Sequence, residues 1–181
     1  LGLRAIIVMP KTTPGIKVTA VRQHGAEVVL HGSSFDEARE HMQGIAAQSG
    51  CIYVPPFDDP DVIAGQGTVA MEIFRQQSQR LDALFVPVGG GGLIAGMAAY
   101  TKSLWPEVKI IGVEPEDTPT LHAALTADER VVLDQVGIFA DGVAVRQIGA
   151  EPFRIARETV DEVLLVSTDE ICAAIKDMYE D

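Results

Sequence analysis

The chain is 181 residues long and 47% apolar, with 26 Asp and Glu against 14 Lys and Arg for a net charge of −12. That length and composition allow a packed core, and the acidity, with no basic stripe, excludes a general nucleic-acid surface. Ala83 to Thr101 is uncharged, but Pro87 and the glycines after Val88 would break a membrane-spanning helix at its middle.

Ala5 to Met9 is predicted as the first strand, and the start on Leu1 without a leader-like segment suggests a piece of a longer protein. Pro14 sets a helix that runs from Ile16 to His24 and stops at Gly25. Glu27 to Leu30 is a short strand, and Ser34-Phe35-Asp36-Glu37 is a capping box opening a helix to about Ser49. Ile52-Tyr53-Val54 is expected as a third strand. Pro55 to Pro60 is the clearest break in the chain and the expected boundary, dividing residues 1–56 from 57–181.

A second βα series follows. Asp61 to Gln79 is predicted helical, with close packing at Gly65-Gln66-Gly67, and Leu81 to Val88 is a strand. The helix from Leu93 to Trp105 stops at Pro106, and Val108 to Val113 is a strand buried on both faces. Thr118 with Pro119 caps a short helix to about Ala127. Residues 131–145 are irregular, Pro152 to Thr159 is a helix, Val163 to Val166 a strand, and Ser167-Thr168-Asp169-Glu170 opens the last helix. Alternation of strands and helices at this spacing means an α/β fold with parallel sheets.

Four consecutive glycines, Gly89 to Gly92, separate a strand-like segment from a helix-like one. Such a junction offers free N–H groups and a positive dipole end to one point, which suits a phosphate. Gly90-x-Gly92-x-x-Ala95, with Glu114 about twenty residues on, also satisfies the dinucleotide fingerprint, so a nicotinamide-dependent oxidoreductase stays open. A non-catalytic phosphate-binding module is a third reading. Cys51 and Cys172 form neither a disulfide framework nor a metal site and are expected as buried small hydrophobes in a reducing cytoplasm. His24, His31, His41 and His122 lack metal-ligand spacing, and Asp58, Asp59 and Asp61 read as turn and cap residues. Lys11, at a strand's carboxyl end, reads as a solvated loop lysine.

Four segments together carry a family likeness: Val54-Pro55-Pro56-Phe57-Asp58, Ile63-Ala64-Gly65-Gln66-Gly67-Thr68, Val86-Pro87-Val88 with Gly89 to Leu93, and Ala140-Asp141-Gly142-Val143-Ala144-Val145. They resemble threonine dehydratase (threonine deaminase) of the biosynthetic type, a fold-type-II pyridoxal-phosphate enzyme akin to serine dehydratase and serine racemase. The resemblance implies three-layer open parallel sheets of the tryptophan synthase β kind, incomplete here, with 1–56 the end of a small domain and 57–181 the start of the large cofactor-binding domain. It implies pyridoxal 5'-phosphate as cofactor, held through its phosphate by the main-chain N–H groups of Gly89, Gly90, Gly91, Gly92 and Leu93. Gly142 either passes near the cofactor ring or is a plain loop glycine. The implied reaction converts L-threonine, or L-serine as the second candidate, to a 2-oxo acid and ammonia, within isoleucine biosynthesis and in a cytoplasmic homo-oligomer, dimer or tetramer. The family's Schiff-base lysine and Asn motif would lie before Leu1 and its ring-nitrogen partner after Asp181, so the piece alone is expected to be inactive. Glu114 stands where some relatives bind a divalent metal, but the second carboxylate of that site has no counterpart around Thr120, and no metal is expected.

Overall fold

The computed structural model describes residues 2–33, 35–77 and 79–180, apart from the side chain of Asp36. It falls into two compact units, residues 1–53 and 54–181.

The first unit is one βαβ turn followed by a helix. Strand β1 (Ile6–Met9) pairs in parallel with β2 (Glu27–Leu30). Between them runs α1 (Gly15–Gln23), entered from Pro14, whose fixed φ suits a helix start. The helix α2 (Phe35–Ser49) follows, and Val18 and Ala38 are the buried side chains of this small core. The Ser34 member of the expected capping box lies outside the described residues, while its neighbour Ser33 donates from its main chain and its hydroxyl to the Glu37 carboxylate. Ile52, Tyr53 and Val54 do not form a strand. No neighbouring strand among the described residues takes up their hydrogen bonds, and Ile52 and Val54 stand exposed.

In the second unit a three-stranded parallel sheet runs in the order β3 (Ala83–Pro87), β4 (Lys109–Pro115), β5 (Glu162–Val166). The helices are α3 (Pro60–Gln76), α4 (Gly92–Leu104), α5 (Thr120–Ala127), α6 (Ala150–Thr159) and α7 (Thr168–Glu180). Alternate residues Leu84 and Val86 of β3, with Ile110 of β4, pack against Ile94, Met97 and Ala98 of α4, which is why the strand and helix periods interlock into one core. Phe74 and Trp105 stack at 4.0 Å between ring centroids at the rim of that core. The α3 and α4 backbones approach closely at Gly67 and Gly96, where a side chain on Gly96 would collide with the Ile63 carbonyl. Gly65 borders open space, so only Gly67 of the glycine pair serves that packing.

Three caps orient the helices around the carboxyl ends of these strands. Asp59 accepts from the main-chain N–H groups of Asp61 and Val62 at the start of α3. Asp58 accepts from Ala150 and Glu151, each at 2.9 Å, and so caps α6, far along the chain. At α7 the Ser167 hydroxyl and the Glu170 carboxylate cap reciprocally, as expected. The short helix α5 departs from expectation. Thr118 does not cap it; its hydroxyl donates to Asp117 and accepts from the Gly137 N–H. The cap is supplied by Glu114.

Candidate anion site at the glycine turn

The strand β3 ends on Pro87, and Val88 adds one more ladder bond to Val113 before the chain turns. Gly91 then takes φ +87°, a left-handed conformation open to glycine at little strain, and α4 begins at Gly92. The carbonyls of the turn are all held: Gly89 by the Thr120 hydroxyl at 2.8 Å, Gly90 by the Gly149 N–H at 3.0 Å and Gly91 by the Ala95 N–H at 3.0 Å. The N–H groups from Gly89 to Leu93 have no acceptor among the described residues. Gly90, Gly91 and Gly92 are buried, so these are orphaned donors at a helix N-terminus, where the dipole also favours negative charge.

Side chains are excluded from all four glycines by close neighbours. A Cβ on Gly90 would run into the Phe57 ring, one on Gly92 would lie 3.0 Å from the Phe57 main chain, one on Gly89 would lie 2.9 Å from the Val143 Cα, and one on Gly91 would lie 2.9 Å from Ile148 and Pro152. The Cα sides of the glycines are thus packed while their N–H groups are unclaimed. This is the donor set that a phosphate ester fits. A cavity of about 420 Å³ lies elsewhere, along α3, α4 and α6 between Pro60, Ile63, Gly67, Gly96, Tyr100 and Ile155, and includes none of the turn's donors.

Glu114, at the end of β4, is fully buried. Its carboxylate accepts from the Leu121 N–H at 2.8 Å, the His122 N–H at 2.9 Å and lies 2.9 Å from the Thr120 hydroxyl. Burial pushes its carboxyl above the ordinary value, against the opposing pull of those donors. The Thr120 hydroxyl carries one proton and faces two oxygens, those of Gly89 and Glu114. A carboxylate engaged in this way is not free to bind a ribose diol, which removes the acidic partner that the dinucleotide fingerprint requires.

The remaining expected residues are placed as follows. Gly142 is exposed in a single 3₁₀ turn (Asp141–Val143), and a Cβ there would meet nothing within 4 Å, although the adjacent Val143 packs on Gly89. Lys11 is exposed. Cys51 and Cys172 are free and exposed rather than buried. Cys51 lies in the irregular segment just after α2, and Cys172 sits on α7, a helix with no buried residue. Phe57, Asp58 and Thr120 were missed as parts of this site because their targets lie far away in sequence. Only their positions in the likeness segments or beside Glu114 could have drawn attention to them.

Known proteins resemble the chain along its whole length. The biosynthetic threonine dehydratase of the Arabidopsis thaliana chloroplast is 60% identical over all 181 residues, which make up 31% of that protein. The biosynthetic L-threonine dehydratase of Pasteurella multocida is 56% identical over 99% of the chain and 35% of its own length. The solved structure of the processed form of threonine deaminase isoform 2 from Solanum lycopersicum superposes with a TM-score of 0.92 at 50% identity, covering 98% of this chain and 51% of that one. The chain spans about a third of the length of the curated relatives it matches. Since the family model for the pyridoxal-phosphate dependent enzymes also matches residues 1–181, a strand, a glycine turn and a helix N-terminus with unclaimed donors here belong to a member of that family.

Proposed function

We propose that the chain is the phosphate-anchoring part of a threonine dehydratase that converts L-threonine to 2-oxobutanoate and ammonia, the first step of isoleucine biosynthesis. Residues 57–181 are its share of the large cofactor-binding domain, and residues 1–56 the end of the small domain. Identity of 60% and 56% to biosynthetic threonine dehydratases supports the substrate assignment over serine. The observation that carries the site is the run of unclaimed N–H groups from Gly89 to Leu93 at the start of α4.

The main chain of residues 89–93 would hold the phosphate of pyridoxal 5'-phosphate, and the α4 dipole would add to the attraction. Gly142 would border the ring, a role supported by the packing of its neighbour Val143 on Gly89. Bound pyridoxal phosphate supplies an electron sink for the loss of the substrate's α-proton. The residues present here bind and orient: Phe57 closes the Cα side of the turn, and Asp58 fixes α6, whose Pro152 backs Gly91. The Schiff-base lysine belongs to the proposal as a residue outside this chain, and so does homo-oligomeric assembly. The cytoplasm is the proposed location, supported by two free cysteines. No helix among the described residues is long and apolar enough to cross a membrane.

The test is an assay of the intact enzyme carrying this segment for threonine-dependent 2-oxo acid. The expected result is product formation that requires pyridoxal phosphate and is faster with threonine than with serine. Activity unaffected by removing pyridoxal phosphate, or none with threonine, would reject the reading.

A further inference from the structure

One side-chain contact reaches the glycine turn from a different element. Gly90 and Gly91 have their carbonyls fixed by main-chain donors, but the Gly89 carbonyl is fixed by the hydroxyl of Thr120, the first residue of α5. A trans peptide is planar, so its carbonyl and the following N–H point in opposite directions. Holding the Gly89 oxygen therefore sets the direction of the Gly90 N–H, one of the five donors of the set.

We propose that Thr120, itself held by Glu114, is a positioning residue for anion binding: its hydroxyl anchors the Gly89 carbonyl and thereby aims the Gly90 N–H at a bound phosphate. This inference rests on the phosphate reading of residues 89–93. Both side chains are fully buried, while Gly89 is half-buried. Capping of α5 alone would not require the hydroxyl to face Gly89, because Glu114 already accepts from the first free N–H groups of that helix. The hydroxyl has one proton: given to the Gly89 carbonyl at 2.8 Å, it leaves the hydroxyl oxygen to accept from the protonated Glu114 carboxyl at 2.9 Å. Thr120 thus links the end of β4 to the glycine turn through a buried contact to Glu114 and a part-buried one to Gly89.

The test is titration of inorganic phosphate into the cofactor-free intact enzyme carrying this segment, followed by ³¹P and amide NMR, for the unsubstituted protein, Thr120→Val and Thr120→Ser, with thermal melting to check folding. Thr120→Val should bind phosphate about tenfold more weakly, the effect of one hydrogen bond, and shift the Gly90 amide resonance. Thr120→Ser, which keeps the hydroxyl, should restore affinity to within about twofold and return that resonance. Equal binding by Thr120→Val, or equal weakness of the Ser and Val variants, would overturn the proposal while leaving the phosphate reading of residues 89–93 intact. Failure of the unsubstituted enzyme to bind phosphate would instead reject the reading on which the proposal rests. Should Thr120→Val not fold, Thr120→Ala takes its place with the same expectation.

Discussion

Gly90 has the Phe57 ring where a side chain would begin, whereas Gly142 faces open space. Gly90→Ala must push the ring or the turn aside and is expected to lower stability by about 1–3 kcal/mol, as overpacking does. Gly142→Ala is expected to stay within about 0.5 kcal/mol, and urea unfolding of both variants checks the contrast. Glu114 gives a second prediction at this scale. Its carboxyl is raised above the ordinary 4.5 by burial, so the native state holds the proton more tightly than the unfolded chain. The stability this provides is full below about pH 4.5 and is lost as the pH rises through the folded value. In Glu114→Gln that component of the pH slope should vanish; unfolding curves at a series of pH values with identical slopes in the two proteins would contradict the assignment. The sequence identified Glu114 as a residue at a strand's end but could not tell a ligand from a cap. Its partners lie six to eight residues ahead, in the first turn of α5, where the sequence points to Thr118 as the cap.

Helix α6 depends on a carboxylate outside its own segment. Asp58 accepts two of its first N–H groups across 92 and 93 residues of sequence. Asp58→Ala is expected to destabilise the second unit by about 1–2 kcal/mol, and Asp58→Asn by much less, because an amide oxygen still accepts. Chemical denaturation measures both, and equal effects would deny the cap. Caps of the local kind were legible: Ser167 and Glu170 stand three apart, and Asp59 sits directly before Pro60. The target of Asp58 was not, since spacing in sequence carries no record of a contact closed by folding. Strand prediction failed at Ile52 to Val54 for a related reason: apolar β-formers become a strand only when a neighbour accepts their hydrogen bonds.

Taken as a molecule, the second unit is a parallel sheet with a helix-terminal donor set at the carboxyl end of its first strand, where ligands of open α/β sheets bind. The order of strands and helices there could be read from alternating periods, and the tight turn into α4 from the run Gly89 to Gly92, because both are local properties of the chain. Which side chains close the turn, Phe57, Val143, Ile148 and Pro152, could not be read, since each comes from a different segment. The cysteines show the same limit: composition gave them buried positions, and the fold leaves both exposed. A thiol reagent added to the native chain is accordingly expected to titrate two cysteines without denaturant; slow or incomplete reaction would contradict their exposure.

The central claim is that the bare amides of the glycine turn grip the phosphate of pyridoxal 5'-phosphate. Amide NMR of the chain on addition of pyridoxal 5'-phosphate, with phosphate-free pyridoxal as the control, tests it most directly. The expected result is saturable movement of the Gly89, Gly90, Gly91, Gly92 and Leu93 resonances with the ester and none with the control. Resonances of these residues that stay in place, while the ester perturbs other parts of the protein, would contradict it.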